Sequence, residues 1–238
     1  MPGPLALVGS GEYTDAMLPV DRMLLESRPP RYVQIPTAAA QEGERRLAYW
    51  VTLGRRQAER LGVEPVPLLV RTRQDADEPA IADRVAGAGL VYLSGGDPLF
   101  LADTLRDTLR DTLLWQAIEA AWQAGAALAG CSAGAMAMTG WVPDIRHPTR
   151  SGRPGLGLLP QLRVLPHFDR FLGRMPDLLM RPLLRTPDGV TTVGIDEDTA
   201  LVGGPEHFTV HGRQSAWLLG GGGRKEVPAG GGVTFPLA

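Results

Sequence analysis

The residues best suited to chemistry lie between Leu128 and Met138, Leu-Ala-Gly-Cys-Ser-Ala-Gly-Ala-Met-Ala-Met. Gly130-Cys131-Ser132-Ala133-Gly134 has the G-x-S-x-G spacing. The apolar run before it, Ala126 to Ala129, is short and bounded by glycine, as a buried strand is. Ala135 to Met138 are good helix formers, so a helix follows at once. Strand, tight turn and helix is the setting in which this spacing makes a nucleophile elbow. The serine then sits on a strained turn, and Gly130 and Gly134 leave room where strand and helix nearly touch. The helix start offers free N–H groups and a positive dipole end to a developing oxyanion. A tightly packed turn with no function would show the same five residues, so the serine's partners must be sought elsewhere in the chain.

Histidine is the usual base for a serine, and the chain has four. His147 lies in a Gly-, Pro- and Arg-rich stretch, Trp141 to Pro160, that reads as a long loop of the kind used as a lid. His207 and His211 are four apart on a strand-like stretch and share a face, but no third ligand is near, so no metal site is expected. His167 is the candidate base. It follows a buried-strand pattern, Leu162 to Leu165, and is flanked by Pro166 and Phe168, which can fix its position. An acid must orient the imidazole. Asp196-Glu197-Asp198 closes a strand pattern, on which Asp196 and Asp198 would share one face and Glu197 the other. Asp144, after the elbow, competes; Asp169 is too near His167 in sequence to reach its ring well.

These residues need a scaffold that gathers distant segments. Leu5–Val8, Tyr32–Ile35, Val66–Val70 and Leu90–Leu93 read as buried strands, and Gln41–Leu61, Asp77–Ala86 and Asp103–Gln123 as helices. The last carries Asp-Thr-Leu-Arg twice and then Asp-Thr-Leu-Leu, with Leu105, Leu109 and Leu113 on one stripe. The alternation predicts an α/β fold, a mostly parallel sheet with helices on both faces. Ligands bind such sheets at the carboxyl ends of the strands. The turns Gly9–Glu12, Ser94–Pro98 and Gly130–Gly134 all fall there. Gly9-Ser10-Gly11-Glu12 lacks the third glycine of a dinucleotide site and the Gly-Lys of a P-loop, so it reads as a turn at the rim of a site. After Pro187-Asp188-Gly189 the chain turns to strands, predicting a β-rich tail that extends one edge of the sheet.

With 238 residues, 44% hydrophobic and 21% charged, the chain suits one domain over 1–238. A net charge of −2 points away from nucleic acid and anionic membranes. A single cysteine allows no internal disulfide. No signal-peptide pattern or membrane-length apolar run is present, so a cytoplasmic protein is the default expectation. The oligomeric state stays open, with a homo-oligomer one outcome.

Gly-Cys-Ser-Ala-Gly-Ala, Ser-Gly-Gly-Asp-Pro, Pro-His-Phe-Asp-Arg and Gly-Ile-Asp-Glu-Asp-Thr-Ala-Leu occur in the order and rough spacing of the peptidase E and cyanophycinase family of serine peptidases. The chain resembles that family from Gly9 to about Gly204. The resemblance implies a class I glutamine amidotransferase-like fold and no cofactor. It implies Ser132 as nucleophile, His167 as base, Glu197 as third member with Asp144 open, and the Gly96 and Ala133 amides as oxyanion hole. The substrate would be a short peptide, with Arg170 and Asp97 at its charged groups. Arg174, Arg181 and Arg185 continue the basic series after Arg170. Cyanophycinases tend to carry glutamine before this histidine, where Pro166 stands here, which favours N-terminal aspartyl peptides over β-aspartyl polymer. Two rivals remain: an amidotransferase-like hydrolase using cysteine, although Cys131 is one place early, and a non-catalytic binding protein with a degenerate site.

Overall fold

The computed structural model describes residues 1–106, 111–144, 152–172, 189–220 and 223–236. The chain alternates β1 (Leu5–Val8), α1 (Leu18–Leu25), β2 (Arg31–Ile35), α2 (Glu44–Leu61), β3 (Glu64–Pro67), α3 (Arg73–Ala76), α4 (Pro79–Ala82), β4 (Leu90–Leu93), α5 (Pro98–Leu105), α6 (Leu113–Gln123), β5 (Ala127–Cys131) and α7 (Ala133–Ala137). Then follow β6 (Trp141–Val142), β7 (Arg153–Pro154), β8 (Leu162–Leu165), β9 (Thr191–Ile195), β10 (Thr199–Gly203), β11 (His207–Gly212), β12 (Ser215–Gly220), β13 (Gly223–Pro228) and β14 (Gly232–Thr234).

The large sheet runs β14-β11-β10-β1-β5-β4-β2-β3. Strands β1 to β5 pair in parallel, as the α/β alternation predicts. Side chains alternate across the strands, so each strand feeds two cores. Leu5, Leu7, Val91, Leu93 and Leu128 face one layer, packed with Leu101, Leu105, Trp115 and Ile118 of α5 and α6. Ala6, Val8, Leu90, Tyr92, Ala129 and Cys131 face the other, against Val20 and Leu24 of α1 and Ala58 of α2.

The tail does more than lengthen one edge. Strands β10, β11 and β14 continue the large sheet antiparallel from β1. Strands β9, β12 and β13 join β8 in a second sheet, β13-β12-β9-β8. The turn Asp196–Asp198 therefore carries the chain from one sheet to the other.

Several helix bounds differ from the sequence expectation, each for a local reason. In place of one helix over 77–86, a capping box of Thr72 and Asp75 starts α3 early, and Pro79, which lacks an N–H, starts α4. A 3₁₀ turn, Thr37–Glu42, occupies the start of the expected Gln41–Leu61 helix, and Gly43 at φ 93° separates it from α2. The expected helix 103–123 is two helices. Arg106 is extended at φ −134°, and the Thr112 hydroxyl accepts the Trp115 amide to start α6. Leu109 of the expected stripe lies outside the described residues. Within the expected loop 141–160, β6 and β7 pair antiparallel. His147 lies outside the described residues, as do Arg174, Arg181 and Arg185.

Candidate active site

The register of the parallel strands gathers three turns. Beside β5, Val8 of β1 stands opposite Cys131, and Leu93 of β4 opposite Gly130. The turns after β1 and β4 thus flank the elbow. Ser132 sits at φ 49° and ψ −104°, a strained conformation for a residue with a side chain. Its amide donates to the Val8 carbonyl at 2.8 Å, and its carbonyl accepts from Met136 at 3.0 Å. A Cβ on Gly130 would stand 2.5 Å from the Gly134 carbonyl carbon, and one on Gly134 would stand 2.2 Å from the Leu93 oxygen. Both glycines are required by the close crossing of strand and helix.

Gly96 has φ 144°, and a Cβ there would lie 2.3 Å from the Ala38 oxygen. Its neighbours are pinned: Gly95 donates its amide to Glu12 Oε1 at 3.0 Å, and Asp97 its amide to the Ala38 oxygen at 2.7 Å. Among the described residues, the Gly96 and Ala133 amides have no acceptor. The built-on Cβ position of Gly95 is 3.7 Å from Ser132 Cβ, so the glycine loop abuts the serine. Asp97 caps α5, with Oδ1 accepting from Leu99 at 3.0 Å and Phe100 at 2.9 Å.

The second sheet supplies His167. Parallel pairing sets Leu165 of β8 opposite Gly194 of β9, so His167 and the acidic turn leave the sheet side by side. Ser132 Oγ lies 3.1 Å from His167 Nε2, and His167 Nδ1 lies 2.9 Å from Glu197 Oε1. His167 has φ 49°. Phe168 beside it is buried, with the tilted Trp217 ring at 5.8 Å and the Arg224 guanidinium 5.7 Å over the phenyl ring. A Cβ on Gly194 would strike that ring at 2.5 Å. The His167 side chain is 29% exposed and that of Glu197 27%, so this half of the site is open to water.

The three acids do not divide as a strand would. The strand ends at Ile195, and each acid has its own partner. Asp196 is buried and accepts from Trp217 Nε1 at 3.0 Å and the Ser215 amide at 3.2 Å; burial raises its pKa above the usual carboxylate range. Asp198 accepts from Thr14 Oγ1 at 3.0 Å. Glu197 alone of the three is bonded to the imidazole. Asp144 stands at the end of the segment after β6, half-buried.

Asp169, set aside as an imidazole partner, holds the acid instead. Its Oδ1 accepts the Glu197 amide at 2.9 Å and its Oδ2 accepts Gln214 Nε2 at 3.2 Å, while that same nitrogen donates to the Glu197 carbonyl at 2.9 Å. Sequence reasoning missed Gln214, which lies 45 residues from Asp169 and carries no motif. Arg170 Nη1 contacts both Glu197 oxygens, at 3.4 and 3.3 Å, and its side chain is 66% exposed.

Cys131 points away from Ser132 into the α1 side of the sheet, where its thiol donates to Glu12 Oε2 at 2.8 Å. Burial, with Glu12 beside it, pushes that thiol well above its ordinary pKa, the opposite of what a cysteine nucleophile needs. Among the described residues no cluster of three or more His, Cys, Asp or Glu side chains is placed to hold a metal. No helix among them is long and apolar enough to cross a membrane.

The chain has an α/β fold, a mostly parallel central sheet with a serine elbow at the carboxyl end of its strands and a strand-rich C-terminal region. The chain belongs to Peptidase family S51, whose model matches residues 5–210, and is thereby a peptidase. A peptidase from an acI-B1 Actinobacterium is similar over 99% of this chain and 98% of its own, at 43% identity and a TM-score of 0.89. A candidate Peptidase E protein from Listeria monocytogenes EGD-e shares the fold, with 19% identity and a TM-score of 0.63, over 90% of this chain and 100% of its own. No curated protein matches significantly.

Proposed function

We propose that this chain is a serine exopeptidase that releases the N-terminal residue of short peptides through an acyl-enzyme on Ser132. The reading rests on one observation, the continuous hydrogen-bonded line from Ser132 Oγ through His167 to Glu197 at 3.1 and 2.9 Å. With Glu197 accepting from Nδ1–H, the imidazole presents a bare Nε2 to the serine hydroxyl. Ser132 Oγ attacks the peptide carbonyl carbon and its proton passes to Nε2. The oxyanion points at the Gly96 and Ala133 amides, which have no other acceptor among the described residues. Collapse expels the amine, which takes the proton from Nε2 and leaves the acyl group on Oγ. Water then attacks the ester with His167 as base and returns Ser132–OH.

The preferred N-terminal residue in this reading is aspartyl. Among the described residues Arg170 contacts Glu197 through Nη1, and Nε and Nη2 of the exposed guanidinium suit a substrate carboxylate. Asp97, next to Gly96, suits the ammonium group of a free N-terminus. The test incubates wild type and Ser132→Ala with Asp-X, β-Asp-X, Glu-X and neutral dipeptides and follows amino-acid release by mass spectrometry. Release from Asp-X by wild type, with Ser132→Ala lower by about 10⁴-fold or more, supports the reading. Preference for β-Asp-X would give the cyanophycinase-like alternative, and equal cleavage of neutral dipeptides would remove the aspartyl preference. Equal rates for both proteins would remove the serine mechanism.

A further inference from the structure

We infer that Glu12 is a positioning residue, a buried carboxyl bolt that locks the Gly95–Gly96 loop to the elbow and so aims the Gly96 amide at the reacting carbonyl. The inference rests on the serine mechanism proposed above. Glu12 follows β1, is only 6% exposed, and touches neither Ser132 nor His167 through any hydrogen bond. Its two oxygens are divided. Oε1 accepts the Gly95 amide at 3.0 Å, and Oε2 accepts the Cys131 thiol at 2.8 Å. Gly95 immediately precedes the Gly96 amide, and Cys131 immediately precedes Ser132. One side chain thus spans the two segments whose spacing sets the distance between nucleophile and oxyanion donor.

Four further observations fit this role. The loop is pinned on both sides of Gly96, by Glu12 at Gly95 and by the Ala38 oxygen at Asp97, and only the amide between them lacks an acceptor among the described residues. Gly95 is sandwiched, since a Cβ there would lie 3.2 Å from Glu12 Oε1 and 3.7 Å from Ser132 Cβ. The thiol can be a donor only while protonated, and burial holds it so. Cys131 and Glu12 form neither a nucleophile–base pair nor a metal site; they make the cross-tie. The adjacent Ser94 is tied in the same way, its hydroxyl 2.7 Å from the Tyr13 hydroxyl, so consecutive residues of the β1 turn hold consecutive residues of the β4 turn.

The experiment compares Glu12→Ala, Glu12→Gln, Cys131→Ser and Cys131→Ala with wild type on the best dipeptide of the panel. Hydrogen exchange of the Gly95 amide is followed in parallel. A glutamine keeps one carbonyl oxygen for Gly95, whereas alanine keeps none. Glu12→Ala is expected to lower kcat by about 10- to 100-fold with KM within about threefold, less than outright loss of an oxyanion donor. Glu12→Gln should recover most of the loss, and Gly95 exchange should be fast only in Glu12→Ala. If Glu12→Ala fails to fold, the cysteine pair decides: Cys131→Ser keeps a donor and stays near wild type, while Cys131→Ala falls by roughly threefold or more. A glutamine variant as poor as alanine, or unchanged Gly95 exchange and kcat in Glu12→Ala, would overturn the bolt. So would equal kcat in both cysteine variants. Because exchange is read without substrate, failure of the bolt is distinguished from failure of the serine mechanism, which the Ser132→Ala control judges alone.

Discussion

The two halves of the site are built by different means. The half that holds Ser132 and the glycine loop lies at the ends of neighbouring parallel strands and is fixed chiefly through the main chain, with the buried Glu12 carboxyl as a side-chain tie on Gly95. Ser132 is tied by Val8 and Met136, Asp97 by Ala38, and the close approaches at Gly130, Gly134 and Gly96 allow no side chain. The half that holds His167 and Glu197 lies at the ends of β8 and β9 and is fixed by side chains: Phe168 under Trp217, and Asp169 and Gln214 on the Glu197 backbone. Around Ser132, Glu12, Ser94, Cys131 and Ala133 are buried, while more than a quarter of the His167 and Glu197 side chains is exposed. Main-chain ties are insensitive to most substitutions but intolerant of an added Cβ. Side-chain ties facing water fail one at a time, and water replaces part of what each supplied.

Gly96→Ala should therefore be the more damaging of two probes, one in each half. The new Cβ would meet the Ala38 carbonyl at 2.3 Å, on a residue at φ 144° that a side chain disfavours. The loop must move, and with it the Gly96 amide proposed as oxyanion donor, so kcat should fall by about 10²- to 10³-fold. A melting curve run beside the kinetics separates displacement from unfolding. A folded Gly96→Ala variant with wild-type kcat would show that this amide does not serve the reaction.

The same contrast explains what could be read from the chain. The elbow was legible because its glycines answer a local steric demand inside five consecutive residues. Strands β1, β4 and β5 were legible because they are short apolar runs, whereas the expected strand Val66–Val70 is instead β3, Glu64–Pro67. His167 and Glu197 lie in motifs that the sequence displays, and the structure brings them together, yet their setting was not legible. That Asp196, Glu197 and Asp198 diverge follows from a turn between two sheets, where the period of a strand no longer applies. The division of the tail between two sheets depends on pairings such as Leu165 with Gly194, which no local pattern encodes. Glu12 sat in a turn read as the rim of a site, and its link to Cys131 spans 119 residues. The breaks at Pro79 and Thr112 carried recognisable capping signals that the stronger hydrophobic period masked.

Asp169→Ala probes the second half. It removes the acceptor of the Glu197 amide and one partner of Gln214 but leaves the His167–Glu197 bond itself. With water able to reach the turn, kcat should fall by only about 10-fold, and KM for neutral dipeptides should stay near wild type. Gln214→Ala should act through the same clamp. The double variant is then expected to fall little further than the worse single one, since residues of one network are not additive. Losses that multiply would show two independent roles and dissolve the clamp.

The smallest effect on activity is expected beneath the first half, at Asp21 of α1. It is buried, Gln57 Nε2 donates to its Oδ2 at 2.7 Å, and Oδ1 has no hydrogen-bond partner among the described residues. Its pKa is pushed up to about 7, by burial first and with Glu12 adding to it, against the lowering by the Gln57 bond and Arg60. A carboxyl that ionises more readily unfolded than folded weakens the fold as pH rises between its ordinary range near 4 and about 7. At pH 8 the full penalty, roughly 4 kcal/mol, applies. Asp21→Asn stays neutral at every pH, so its melting temperature should exceed that of wild type at pH 8 and converge with it near pH 4. Since Asp21 touches neither the elbow nor the glycine loop by a hydrogen bond, kcat at pH 7 should change by less than about threefold. Equal melting temperatures at pH 8 would show that the carboxyl ionises without cost. A large loss of kcat would show that the main-chain half of the site depends on the α1 layer beneath it as well as on its own ties.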